Sequence, residues 1–93
     1  GRRLKRIETL VSRKDTFIIY ESPFRVLKTM EELASFPEIK RLVVGRELTK
    51  AHEEITVAPP KEVLLSYSNR PAIKGEFVIA VVMGEDDDNN QED

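Results

Sequence analysis

The feature that most constrains this chain is the run Phe77-Val78-Ile79-Ala80-Val81-Val82-Met83, introduced by Gly75 and Glu76. Near-continuous apolar and β-branched character over this length marks a strand rather than a surface helix, and predicts a central strand covered on both faces. The run is far below the roughly 20 apolar residues that cross a bilayer. It is also the longest apolar run in a chain of 93 residues, which supports one small domain with a modest core. Hydrophobic residues at 40% and charged residues at 34% exclude a disordered or membrane-embedded class. Cysteine is absent, which excludes disulfides and thiolate zinc sites and points to a cytoplasmic protein. No metal site is expected from one histidine and scattered carboxylates.

Around this strand the pattern alternates. Leu4, Ile7, Leu10 and Val11 recur at helical spacing among basic residues, predicting an amphipathic helix over 3–13 with a basic outer face. Thr16 to Tyr20 reads as a buried strand. Ser22 and Pro23 then read as the cap and first residue of a helix over 23–35, with Val26, Met30, Leu33 and Ala34 on its apolar stripe. Residues 41–45 give a second strand and Ile55-Thr56-Val57 a short third. Pro59-Pro60 precede a helix with Val63, Leu64 and Tyr67 on one face. The order predicts an α/β fold, a mixed-sheet sandwich of about four strands with helices packed on it, in which a strand, its crossover helix and the next strand run parallel.

Charge gathers at the two ends. Residues 1–14 sum to +5 through Arg2, Arg3, Lys5, Arg6, Arg13 and Lys14 against Glu8, while 85–93 sum to −6. A basic helix face meets either phosphate or water, and sequence leaves both open. The tail from Glu85 has no apolar residue and is expected to be disordered, leaving a domain over 1–84. The chain opens on Gly1-Arg2-Arg3 with no initiator methionine and no apolar leader, so no secretion is expected and the chain reads as a piece of a longer protein.

In α/β sheets, ligands gather where strands end at their carboxyl side. Two segments fit: Tyr20 to Arg25, and the loop expected over Arg46 to Glu54, which contains the only histidine, His52. Capping accounts for the first, and ordinary surface polarity for the second. No Ser-His-Asp set and no glycine-rich phosphate loop is present, so any nucleotide pocket here is half a pocket.

The three segments "TFIIYESPFR", "VVGRELTKAHEEI" and "KGEFVIAV", in that order, resemble the C-terminal domain of the bacterial small-subunit rRNA 2′-O-ribose methyltransferases of the tetrapyrrole (corrin/porphyrin) methylase superfamily. The resemblance covers about Gly1 to Val82. It implies an S-adenosylmethionine-dependent enzyme that methylates a cytidine ribose, with the cofactor in a cleft between this domain and an N-terminal one that bears the glycine- and proline-rich loop. It implies that Tyr20, Glu21, Ser22, Arg46, Glu47, Leu48, Gly75 and Glu76 lie nearest the cofactor. Arg25, Thr49, Lys50, His52, Glu53 and Glu54 would shape the substrate side or the domain contact, and Arg2, Arg3, Lys5 and Arg6 would meet RNA phosphate. Homodimers are common in the superfamily. Phe24 stands where the family usually has histidine. The catalytic base is left unassigned among Glu47, His52 and the other domain. Two other functions are weighed: a tetrapyrrole methylase domain, which the E-S-P-x-R and R-E-L-T-K-x-H-E-E pair disfavours, and a free-standing RNA-binding or interaction module.

Overall fold

The computed structural model of the chain describes residues 2–49 and 52–84, with the backbone alone for Leu48, Thr49 and His52. The acidic tail over 85–93 lies outside the described residues. The elements run α1 (Arg2–Ser12), β1 (Phe17–Glu21), α2 (Val26–Ala34), β2 (Ile39–Thr49), β3 (His52–Ala58), α3 (Pro60–Ser68) and β4 (Glu76–Met83).

The four strands form one sheet in the order β1-β4-β2-β3. Every ladder in it is antiparallel, where a mixed sheet was expected. The reason is topological. β1 and β2 do run in the same direction, as a strand–helix–strand unit predicts, but β4 inserts between them and pairs antiparallel with each. β3 and β4 are related in the same way, with β2 between them.

This arrangement also decides which face is covered. The second crossover reverses both strand direction and direction of travel relative to the first, a half-turn in the plane of the sheet. Right-handed connections therefore put α2 and α3 on the same face. There they meet α1, and one core results: Ile7 and Val11 of α1, Val26, Met30 and Leu33 of α2, Val63 and Tyr67 of α3, and Leu42, Val44, Phe77, Ile79 and Val81 of the sheet. Among the described residues the opposite face carries no helix. β4 is thus central but covered on one side only: Phe77, Ile79, Val81 and Met83 are buried, while Val78 is exposed. Val78, Ala80 and Val82 are thus apolar on the face away from the core.

Across that open face the register aligns two rows, Ile18–Ala80–Val43–Val57 and Tyr20–Val78–Gly45–Ile55. Ile55 is 70% exposed and Tyr20 76%. Apolar residues laid side by side in water form the kind of patch that marks a contact surface.

Local expectations mostly hold, with two corrections. Helix α2 starts at Val26, later than the predicted residue 23, and its first turn is not capped by the Ser22 hydroxyl. Instead the Ser22 carbonyl accepts from the amides of Arg25 and Val26, each at 3.1 Å, in a turn over 22–25. The second correction concerns β2 and β3, which extend through most of the segment expected to be a loop. Arg46 pairs with Glu54, Glu47 with Glu53 and Thr49 with His52, with a register shift between Glu47 and Thr49. Backbone pairing needs no apolar side chains, so a polar hairpin end leaves no periodicity to read.

Candidate functional site

Because β1 and β2 point the same way, their carboxyl ends lie at one end of the sheet, together with the starts of β3 and β4. Most residues singled out in sequence converge there: Tyr20, Glu21 and Ser22 leave β1, Arg46 and Glu47 lie near the end of β2, Glu53 and Glu54 begin β3, and Gly75 and Glu76 enter β4. Gly75 has φ 96°, a conformation that side chains disfavour and glycine adopts freely. The side chains of Leu48, Thr49 and His52, and all of Lys50, lie outside the described residues.

Strand alternation divides these residues between the two faces. On the helix side, Arg46 Nε donates to Glu54 Oε1 at 3.0 Å and its Nη1 to the Lys74 carbonyl at 3.2 Å. Arg70, just beyond α3, grips the same carboxylate with both terminal nitrogens, at 2.9 and 2.8 Å. Its guanidinium lies 4.0 Å from the centre of the Tyr67 ring, which meets Phe77 edge-on with centroids 5.7 Å apart. Arg70 was missed in sequence, because a lone arginine past a helix carries no local pattern. Arg46 and Glu54 are therefore framework at the base of the site: they fasten the hairpin to α3 and to the entrance of β4.

The Arg70 hydrogen bonds, and then the charges of Arg70 and Arg46, hold the Glu54 carboxyl below its ordinary value of 4.5. A folded carboxylate that binds its proton less tightly than the unfolded one stabilises the fold above about pH 4.5, and that stabilisation is lost as pH falls through the lower folded value. Glu54→Gln is expected to flatten this part of the acid denaturation profile. Urea midpoints of wild type and variant that fall in parallel below pH 4.5 would show that the pair has no such role.

The Tyr67 hydroxyl is buried and makes no hydrogen bond of good geometry among the described residues, its one polar neighbour of note being the Arg70 guanidinium, whose proton it helps to hold. Removing a buried, unpaired polar group while keeping the ring relieves a desolvation cost. Tyr67→Phe is therefore expected to leave stability unchanged or raise it by up to about 1 kcal/mol. A loss above that size in chemical denaturation would mean the hydroxyl is bonded.

At the other side of the same end, Glu21 is buried. Thr29 Oγ1 donates to its Oε2 at 2.6 Å, Arg3 ion-pairs with the same oxygen, and Arg3 Nη2 donates to Thr29 Oγ1 at 3.0 Å. Arg3 Nε also lies 3.7 Å from Glu32 Oε1. The side chains of Glu21 and Arg3, singled out for the cofactor and for RNA phosphate, pair with each other here and pin α1 to α2 and β1. Arg2, Lys5, Arg6 and Arg25 remain exposed.

On the open face, Glu47 stands directly between Glu76 of β4 and Glu53 of β3, and all three are exposed. With Gly45, Arg46, Glu54, Ile55 and Val78 they line a shallow hollow of about 230 Å³. Like charges directly opposed across strands weaken a sheet, and a cation laid over them relieves that repulsion. The described residues hold no cluster of His, Cys, Asp and Glu suited to a metal ion.

Fold and site together define an α/β domain with, among the described residues, one sheet face free of helices and polar side chains gathered at one end of it. No family model matches the chain. Curated relatives do. It is 37% identical over 81 residues to a protein of Borrelia garinii subsp. bavariensis, 36% over 77 to one of Bacillus subtilis, and 37% over 94 to one of Haemophilus influenzae. All three are named "Ribosomal RNA small subunit methyltransferase I". The matches cover 86%, 83% and 97% of this chain but only 36%, 26% and 32% of those proteins. The chain is thus a homologue of one segment of the ribosomal RNA small subunit methyltransferase I proteins, and spans about a third of the curated relatives it matches.

Proposed function

We propose that this chain is the segment of an S-adenosylmethionine-dependent methyltransferase that closes the cofactor and substrate cleft, and that the whole enzyme methylates the 2′-hydroxyl of a cytidine ribose in small-subunit rRNA. The observation that carries the reading is the row Glu53–Glu47–Glu76 at the strand ends, next to an apolar sheet face with no helix on it. The methyl donor is a sulfonium cation, and exposed carboxylates are chemically matched to it; Arg46, which lines the same hollow, is already paired with Glu54. Tyr20 and Val78 extend the same face with apolar surface.

S-adenosylmethionine supplies an already activated methyl group. What remains for the protein is to align the ribose oxygen behind that methyl and to help its proton leave. Glu54, held by two arginines, is poorly placed to take a proton. Glu47 is exposed on the open face and is free of the described ion pairs. The base is not assigned. The rest of the enzyme, a cytoplasmic protein and a homodimer in this reading, would cover the open face and supply the glycine- and proline-rich loop of the cleft.

The test uses the full-length protein with methyl-labelled S-adenosylmethionine and small-subunit rRNA. Label is expected on a cytidine ribose, and the 93-residue chain alone is expected to transfer none. Label absent from RNA, or found on a tetrapyrrole, sinks the assignment. In the same assay Glu47→Gln is expected to weaken cofactor binding while raising the urea midpoint of folding, since it removes the middle of three like charges.

A further inference from the structure

Between α1 and β1 runs a groove of about 510 Å³, and its walls differ in character from the carboxylate hollow at the other side of the sheet. One wall is cationic, with Arg6 from the exposed face of α1 and Arg25 from the turn after β1. The other is apolar, formed by Ile18 and Tyr20. Ile18 is 57% exposed and Tyr20 76%, and Phe24, on the turn beside Arg25, is 94% exposed. The one carboxylate in the groove, Glu21, is neutralised by Arg3 and hydrogen-bonded by Thr29, so Arg6 and Arg25 set the sign of the field there.

An exposed aromatic beside exposed guanidinium groups suits one kind of occupant. Tyrosine in water gains from stacking on a flat ring, and two arginines gain from phosphate oxygens. A duplex offers phosphate but keeps its bases stacked on each other; an unpaired strand offers both. We propose that this groove holds a single-stranded RNA segment, with an unstacked base on Tyr20 and flanking phosphates on Arg6 and Arg25. The proposal deepens the methyltransferase reading by naming where unpaired substrate RNA enters. The groove also lies beside the site end of the sheet, since Tyr20 and Arg25 belong to both.

The test is fluorescence titration of the 93-residue chain with a labelled, mixed-sequence single-stranded oligoribonucleotide and with its duplex, across a range of salt. The single strand is expected to bind more tightly than the duplex. Tyr20→Ala is expected to weaken it about tenfold with the salt slope unchanged, while Tyr20→Phe binds as wild type. Arg6→Glu with Arg25→Glu is expected to reduce the salt slope by at least about 1.4, the value for two lost phosphate contacts on a single strand. Equal affinity for duplex and single strand, or indifference to Tyr20→Ala, overturns the proposal. So does loss of binding by a Tyr20→Phe chain whose circular dichroism is that of wild type, since the ring that should stack is intact. Methyl transfer by the full-length protein separates the two readings: transfer unaffected by Tyr20→Ala removes the groove and keeps the enzyme, whereas RNA binding without any transfer does the reverse.

Discussion

Phe77→Ala is expected to cost about 3–5 kcal/mol of folding stability, the range for deleting a large aromatic side chain from a packed interior. Phe77 is 1% exposed, lies on the covered face of a central strand, and pairs across the sheet with both Glu21 and Arg46. Its ring meets the edge of Tyr67, on whose face Arg70 rests. Truncation thus opens a cavity at the core end of the site and removes the surface that positions Tyr67. Arg70 should then hold Glu54 less well, so the acid profile that Glu54 contributes should shift together with the urea midpoint. Phe77→Leu keeps most of the volume and is expected to cost much less. A Phe77→Ala variant within about 1 kcal/mol of wild type would be incompatible with a close-packed core at this point.

Arg3→Ala has the second largest expected effect, about 2–3 kcal/mol. Removing one partner of a buried pair leaves the other charge desolvated and alone, which costs about 3–5 kcal/mol when both are deep. Here Arg3 retains a third of its side-chain exposure while Glu21 keeps 5%, which places the expectation below that range. The stranded Glu21 carboxylate is the source of the loss, so the double variant Arg3→Ala/Glu21→Gln should recover more than half of it. Arg2→Ala and Lys5→Ala, on the exposed face of the same helix, should change stability little. A cost for Arg3→Ala no greater than theirs would mean the pair behaves as a solvated surface bridge. The comparison also divides the basic helix by role: one arginine anchors the helix, and its neighbours keep their charge for solvent or ligand.

The sequence determined the number, order and type of the elements, because periodicity of apolar residues is a local property. The stripes Ile7–Val11, Val26–Met30–Leu33 and Val63–Tyr67 are buried as the 3.6-residue period requires, and the strand over 76–83 lies within a residue of its predicted span. The three quoted segments also identified the kin of this chain, because the residues themselves carry the resemblance.

What tertiary structure decided is everything that depends on which strands become neighbours. Insertion of β4 between β1 and β2 made the sheet wholly antiparallel and put all three helices on one side. A strand apolar from Phe77 to Met83 therefore has one face in the core and the other outside it, for a sequence cannot say whether its second apolar face meets this domain or another. The same holds for the site. That Glu47 stands between two other glutamates, that Arg70 reaches Glu54, and that Arg3 turns in to Glu21 are facts of register and crossover. Glu47 and Glu76, Arg70 and Glu54, and Arg3 and Glu21 lie 16 to 29 positions apart in the chain, and no local pattern encodes such distances.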